Sequence, residues 1–160
     1  MKTYTLIHTI ISLLALFSGF VVLFGLLTNR KLPGWTAFFL TTTVATSVTG
    51  FGFFPALGFT PGQVFGILSM ILLALAIYGR YVQHLAGGWR KVYVRTAVAA
   101  LYLNAFVGVV QSFQKIPVLK ALAPTQPAPV FIGAQVVALV LFIVAGIYAV
   151  KNFQGDPILV

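Results

Sequence analysis

Tyr102-Leu-Asn104-Ala-Phe-Val-Gly108-Val-Val-Gln111-Ser-Phe-Gln114-Lys115 decides how this chain is read. The stretch is apolar enough to lie in a membrane, yet it carries one amide in its middle and two amides and a cation at its end. On an α-helix Asn104, Gly108, Gln111 and Lys115 fall at i, i+4, i+7 and i+11, which makes one continuous stripe. In hydrocarbon an unpartnered polar group is costly. The stripe is therefore expected to face other helices or a water-filled cavity.

The rest of the composition agrees with a lipid solvent. Of 160 residues 60% are hydrophobic and only 7% charged, against about 25% charged in a soluble domain. The one acidic residue is Asp156, and there is no cysteine. That removes the paired carboxylates of acid/base catalysis, an intramembrane carboxylate relay, and any Cys/His zinc or iron–sulfur cluster. A net charge of +9 could point to nucleic acid. The cations instead flank apolar runs, the pattern set by membrane orientation and anionic headgroups, so no nucleic-acid partner is expected.

Outward from the opening stretch, the chain reads as five apolar runs: residues 4–28, 35–54, 62–85, 90–114 and 130–153. Each is long enough to span a bilayer. The fold class expected is all-α, a transmembrane bundle of five helices forming a single domain over residues 1–160. The second run is rich in Thr and Ser, whose hydroxyls can bond to the carbonyl one turn back. Between the fourth and fifth runs lies the longest connection, with prolines at 117, 124, 127 and 129 and room for one interfacial helical turn over residues 118–122. A turn bounded by Pro55 and Pro61 joins the second run to the third.

Five spans place the termini on opposite sides. One side holds Lys2, Lys115 and Lys120; the other holds Arg30, Lys31, Arg80, Arg90, Lys91, Arg95 and Lys151. Seven cations against three predict a periplasmic N-terminus and a cytoplasmic C-terminus in a bacterial inner membrane, a bacterial source being assumed. A faint repeat at an offset of 54 pairs Phe24-Gly25 with Tyr78-Gly79 and Gly34-Trp35 with Gly88-Trp89. Two parallel-repeat hairpins plus one added helix would produce it.

With that orientation His8, Ser47, Thr49, Gln63, Gln111, Gln114 and Gln135 fall in the outer half of their spans, and Asn104 falls near mid-depth. Lys115 and Gln126 lie at the outer rim. Two readings stand: the amides and hydroxyls tie helices together, at roughly 0.6–2 kcal/mol per bond, or they line a pocket open to the periplasm. Such a pocket, cationic at its mouth and free of acids, suits a neutral or anionic amphipathic ligand such as a quinone, a lipid headgroup or an organic anion. No cofactor is required by the sequence. A haem held by His8 alone is the weakest alternative, since His84 lies about 30 Å away across the hydrocarbon. Arg80 and Arg95 are expected to snorkel towards phosphates.

The segments Thr46-Ser-Val-Thr-Gly-Phe51, Tyr102-Leu-Asn104, Gln111-Ser-Phe-Gln-Lys115 and Ala121-Leu-Ala-Pro-Thr-Gln126 resemble a family of small, uncharacterised integral membrane proteins of proteobacteria. The resemblance covers nearly the whole chain. Members often carry a His where this chain has Gln63, a departure that speaks against a two-histidine site for metal or haem. It implies no catalytic role. The expectation is a non-enzymatic, transport-accessory or carrier protein whose partners are membrane lipids and a small amphipathic ligand. The rival expectations are a structural subunit of a larger membrane complex or homo-oligomer, and a redox protein using haem or quinone.

Overall fold

The structure, a computed structural model, describes residues 2–52, 61–125 and 128–155. Most of the turn expected between Pro55 and Pro61, together with Gln126 and Asp156, lies outside the described residues. The described chain is all-helical: α1 (Lys2–Leu27), α2 (Pro33–Phe51), α3 (Pro61–Ile77) continuing into a π-helical turn (Tyr78–Val82), α4 (Trp89–Lys115), α5 (Pro117–Leu122) and α6 (Pro129–Asn152). The helix expected over 118–122 is α5. Proline opens α2, α3, α5 and α6, the position where its missing N–H costs nothing and its fixed φ fits the first turn.

Four of these six helices are long and apolar enough to cross a membrane: α1, α3 with its π turn, α4 and α6. The run expected over 35–54 forms as α2, 19 residues long. It is not among those four, because six of its residues are Thr and one is Ser. Its hydroxyls are largely satisfied within the helix, Thr42 donating to Phe38 O, Thr46 to Thr42 O, Ser47 to Thr43 O and Thr49 to Ala45 O, at 2.7–3.1 Å.

Contacts along the seams show that consecutive long helices run antiparallel. On α1 and α2, His8 meets Thr49 at one end, and Gly25 meets Arg30 and Leu32 at the other. On α3 and α4, Phe65 stacks on Phe106 at 4.9 Å, and Gly79 abuts Trp89 and Tyr93. On α4 and α6, Phe113 meets Phe131 at one end and Tyr102 meets Phe142 lower down. The Arg90 guanidinium donates to the carbonyls of Val150 (3.1 Å) and Phe153, closing the C-terminus of α6 where the helix dipole favours a cation.

The core gathers where α1, α2, α3 and α4 meet, around Val22, Phe39, Leu40, Leu73, Tyr93 and Leu101. Glycine sets its dimensions. A Cβ on Gly19 would collide with Leu101 and come within 2.9 Å of Phe39, so three helices close on that one position. α6 sits at the edge: Ala149 is its buried residue, and most of its circumference is exposed aliphatic side chain.

Two ends of the bundle are therefore distinct. Lys2, Lys115 and Lys120 lie at one, with Tyr4, His8, Thr49, Gln63 and Gln114 (the amide end). Arg30, Lys31, Arg80, Arg90, Lys91, Arg95 and Lys151 lie towards the other (the cationic end).

Candidate functional site

At the amide end the first contact is between α1 and α2. His8 Nδ1 lies 2.8 Å from Thr49 Oγ1. The Thr49 hydroxyl also lies 2.7 Å from Ala45 O, and which of His8 and Thr49 donates follows from the imidazole tautomer. Tyr4 adds a phenol that donates to Thr49 O at 2.6 Å. Lys115, at the end of α4, is near enough to act on His8 electrostatically.

Of the other candidates, Ser47 reaches across to Ser69 on α3 at 3.3 Å, both buried. Gln63 is buried at the start of α3. Gln135 ties α6 to α4, its Nε2 donating to Phe106 O at 3.2 Å. The Ser47 and Gln135 bonds are helix-to-helix bonds of the tying kind. Replacing Thr49 by valine is expected to lower stability by about 0.6–1.7 kcal/mol. A double-mutant cycle with His8→Phe, read by thermal unfolding in detergent, checks it, and strictly additive single changes would refute the pairing.

Two regions are not closed in this way. The first is internal: Thr43 Oγ1, Asn104 Nδ2 and Gln135 Oε1 are buried without a hydrogen-bond partner among the described residues. Asn104 shares its helix face with Leu101 and Gly108, which meet Gly19 and Leu16 of α1. The expected stripe thus faces α1 in its lower half. Its upper half emerges, since Gln111 and Lys115 are exposed.

The second region is the corner where α4, α5 and α6 meet. A cavity of about 170 Å³ there is lined by Phe113, Gln114, Lys120, Ala123, Pro124 and Phe131. Pro117 turns the chain back after α4, so that α5 lies against the end of α4 and roofs this corner. Phe113 and Phe131 meet edge to face at 5.5 Å and give it apolar walls. Gln114 supplies an amide and Lys120 an ammonium.

The ten candidates therefore divide. His8 and Thr49 come together, Ser47 pairs on the neighbouring seam, Gln135 and Asn104 serve other seams, and Gln114 is the amide that lines the corner cavity among the described residues. The sequence did not single out Tyr4 as a contributor, and it placed Ser69 on one face of the third run with Gln63 and Gly66 without pairing it to Ser47. Tyr4 carried the signal of an interfacial aromatic, and Ser69 that of a hydroxyl free to satisfy itself. Among the described residues no group of three or more His, Cys, Asp or Glu could hold a metal ion, and His8 and His84 stand at opposite ends of the bundle.

A comparison with protein-family models finds none that fits the chain, and neither a curated protein nor a solved structure matches it.

At the cationic end one residue departs from expectation. Arg80 does not snorkel: it is only 9% exposed. Its guanidinium lies 5.3 Å from the Tyr93 ring centroid and donates to Tyr93 OH at 3.3 Å and to Lys31 O at 3.4 Å. The physical reason is the π turn. Gln83 N bonds to Tyr78 O at 3.0 Å, five residues back, and the extra residue in that turn rotates its side chains relative to those of a regular helix.

Proposed function

We propose that this chain is a multi-pass protein of a bacterial inner membrane with five spans, α2 being the fifth. It runs beside α1 from Thr49 to Leu32, so whatever depth α1 crosses, α2 crosses too. The hydroxyls that lower its hydropathy bond to their own helix, which makes the span tolerable in lipid. The charge bias between the two ends supports a periplasmic amide end and a cytoplasmic cationic end, and the proteobacterial resemblance supports the inner-membrane setting. Gly25 and Gly79, 54 residues apart, each let the following hairpin close, against Arg30 O and Trp89 O. That shared role supports a duplicated hairpin.

Its function, in this reading, is to bind the head of a small amphipathic ligand at the periplasmic end without transforming it, in a carrier or transport-accessory role. The observation that carries it is the corner cavity, which among the described residues has aromatic walls, one amide, one ammonium and no carboxylate. At about 170 Å³ it is smaller than the roughly 300–1,000 Å³ of a pocket enclosing a whole drug-sized molecule. It suits a phosphate or carboxylate head, with the apolar tail left in the bilayer. Lys120 and Gln114 would hold the head, and His8 and Thr49 would fix the neighbouring hairpin.

The test uses dodecyl phosphate as probe with the protein in nanodiscs. Lys120→Ala is expected to weaken binding about tenfold, the loss of one charge-assisted hydrogen bond, while Lys2→Ala leaves it unchanged. Equal binding by wild type and Lys120→Ala would refute the site.

A second reading, a subunit of a larger assembly, is favoured by α6, which buries so little of itself. Native electrophoresis of the protein from its own membrane separates the two; a lone small species counts against an assembly.

A further inference from the structure

A groove of about 410 Å³ runs between α4 and α6, lined by Arg95, Ala99 and Tyr102 on one side and by Phe142, Gly146 and Val150, among others, on the other. Its origin is a pair of small residues, Ala99 and Gly146, facing across a seam that is otherwise bulky. A Cβ on Gly146 would meet only Val98, at 3.5 Å. Tyr102 closes the far end, its ring 5.6 Å from that of Phe142. The lining is apolar throughout except for Arg95 and the phenol of Tyr102.

Length identifies the kind of occupant. The lining of α6 runs from Leu139 to Val150, a rise of about 16 Å along the axis. That is close to half of the roughly 30 Å hydrocarbon thickness. One leaflet's acyl chain needs only this much.

Charge identifies the head. Arg95 is exposed, sits in the second turn of α4, and has no hydrogen bond or ion pair among the described residues. Helical side chains lean towards the helix N-terminus, which for α4 is the cationic rim, so the guanidinium rises from the groove to headgroup level. With one acidic residue in the whole chain, the anion that meets it comes from outside the protein. We infer that the α4–α6 groove binds an anionic phospholipid of the leaflet at the cationic end, one acyl chain lying in the groove and the phosphate on Arg95. This rests on the membrane setting alone and is independent of the corner cavity at the other end.

Native mass spectrometry of the protein released from nanodiscs tests it, with phosphatidylglycerol and phosphatidylcholine of identical acyl chains as probes. Wild type is expected to retain phosphatidylglycerol about fivefold over phosphatidylcholine, the preference one cation gives an anionic headgroup. Arg95→Gln should bring the ratio close to one, whereas Lys91→Gln should leave it within about twofold of wild type. Gly146→Leu, which fills the groove, should reduce retention of both lipids; Ala99→Leu replaces it if that variant does not fold. Equal retention of the two lipids by wild type overturns the inference. So does an unchanged ratio in Arg95→Gln, or a dimer in which filling the groove abolishes association instead of lipid retention.

Discussion

Gly19→Leu is expected to lower the apparent unfolding midpoint by roughly 2–12 °C, measured by thermal denaturation in mild detergent. The first added carbon would already overlap Leu101 and press on Phe39. Both are 1% exposed, so neither has anywhere to go. Overpacking of this kind costs about 1–3 kcal/mol and occasionally more, and in a chain of this size each kcal/mol moves the midpoint by roughly 2–4 °C. The control is Gly133→Leu. Nothing lies within 4 Å of the Cβ that residue would carry, so the midpoint should stay within a degree or two. Equal behaviour of the two variants would mean that α1, α2 and α4 do not converge on Gly19.

The second large effect concerns the buried guanidinium. Tyr93 is fully buried, and it gives Arg80 both a ring face and a hydroxyl acceptor. Tyr93→Phe keeps the ring and leaves the guanidinium with the Lys31 carbonyl and the two aromatic faces. The expected cost is about 1.5–3 kcal/mol, the value of a hydrogen bond to a charged group. Tyr93→Ala also opens a cavity and should cost about 3–5 kcal/mol. Arg80→Met should be close to neutral or stabilising, because it removes the charge along with its desolvation cost. In the double variant, Tyr93→Phe should cost less than it does alone, the remainder being the bond between the Tyr93 hydroxyl and Thr36. Denaturant or thermal unfolding of the four proteins checks the cycle, and full additivity would show that the two side chains do not depend on each other.

The two ends of the bundle now have different physical characters. At the amide end, polar side chains mostly satisfy one another across helix seams, and a small aromatic-walled corner remains. At the cationic end, one cation is turned into the core and another is left at the mouth of an apolar groove. Arg80 follows the π turn inward, while Arg95 stays on a regular helix and faces outward.

Much of this was legible in the sequence. A composition with 7% charged residues and four helices long and apolar enough to cross a membrane are compatible with a lipid solvent, in which the backbone bonds to itself. Helix positions then follow from run length, and the helices formed within a few residues of where the runs predicted them. Prolines mark the starts of α2, α3, α5 and α6, and the count of cations on each loop distinguishes one end from the other. These are local or summed properties, and the solvent enforces them without reference to any partner.

How each helix is rotated about its axis was not legible. A period of 3.6 places Asn104, Gly108, Gln111 and Lys115 on one stripe, but only the close approach at Gly19 and Gly108 turns that face towards α1 and lets its end run out into the open. His8 and Thr49 lie 41 residues apart, and their pairing depends on the α1–α2 hairpin closing at Gly25. Arg80 turns inward because one turn takes five-residue hydrogen bonding, which no hydrophobic pattern announces. Run length and charge depend on the solvent alone, whereas azimuth depends on which side chains are small enough to let another backbone near, and that is decided only when the helices meet.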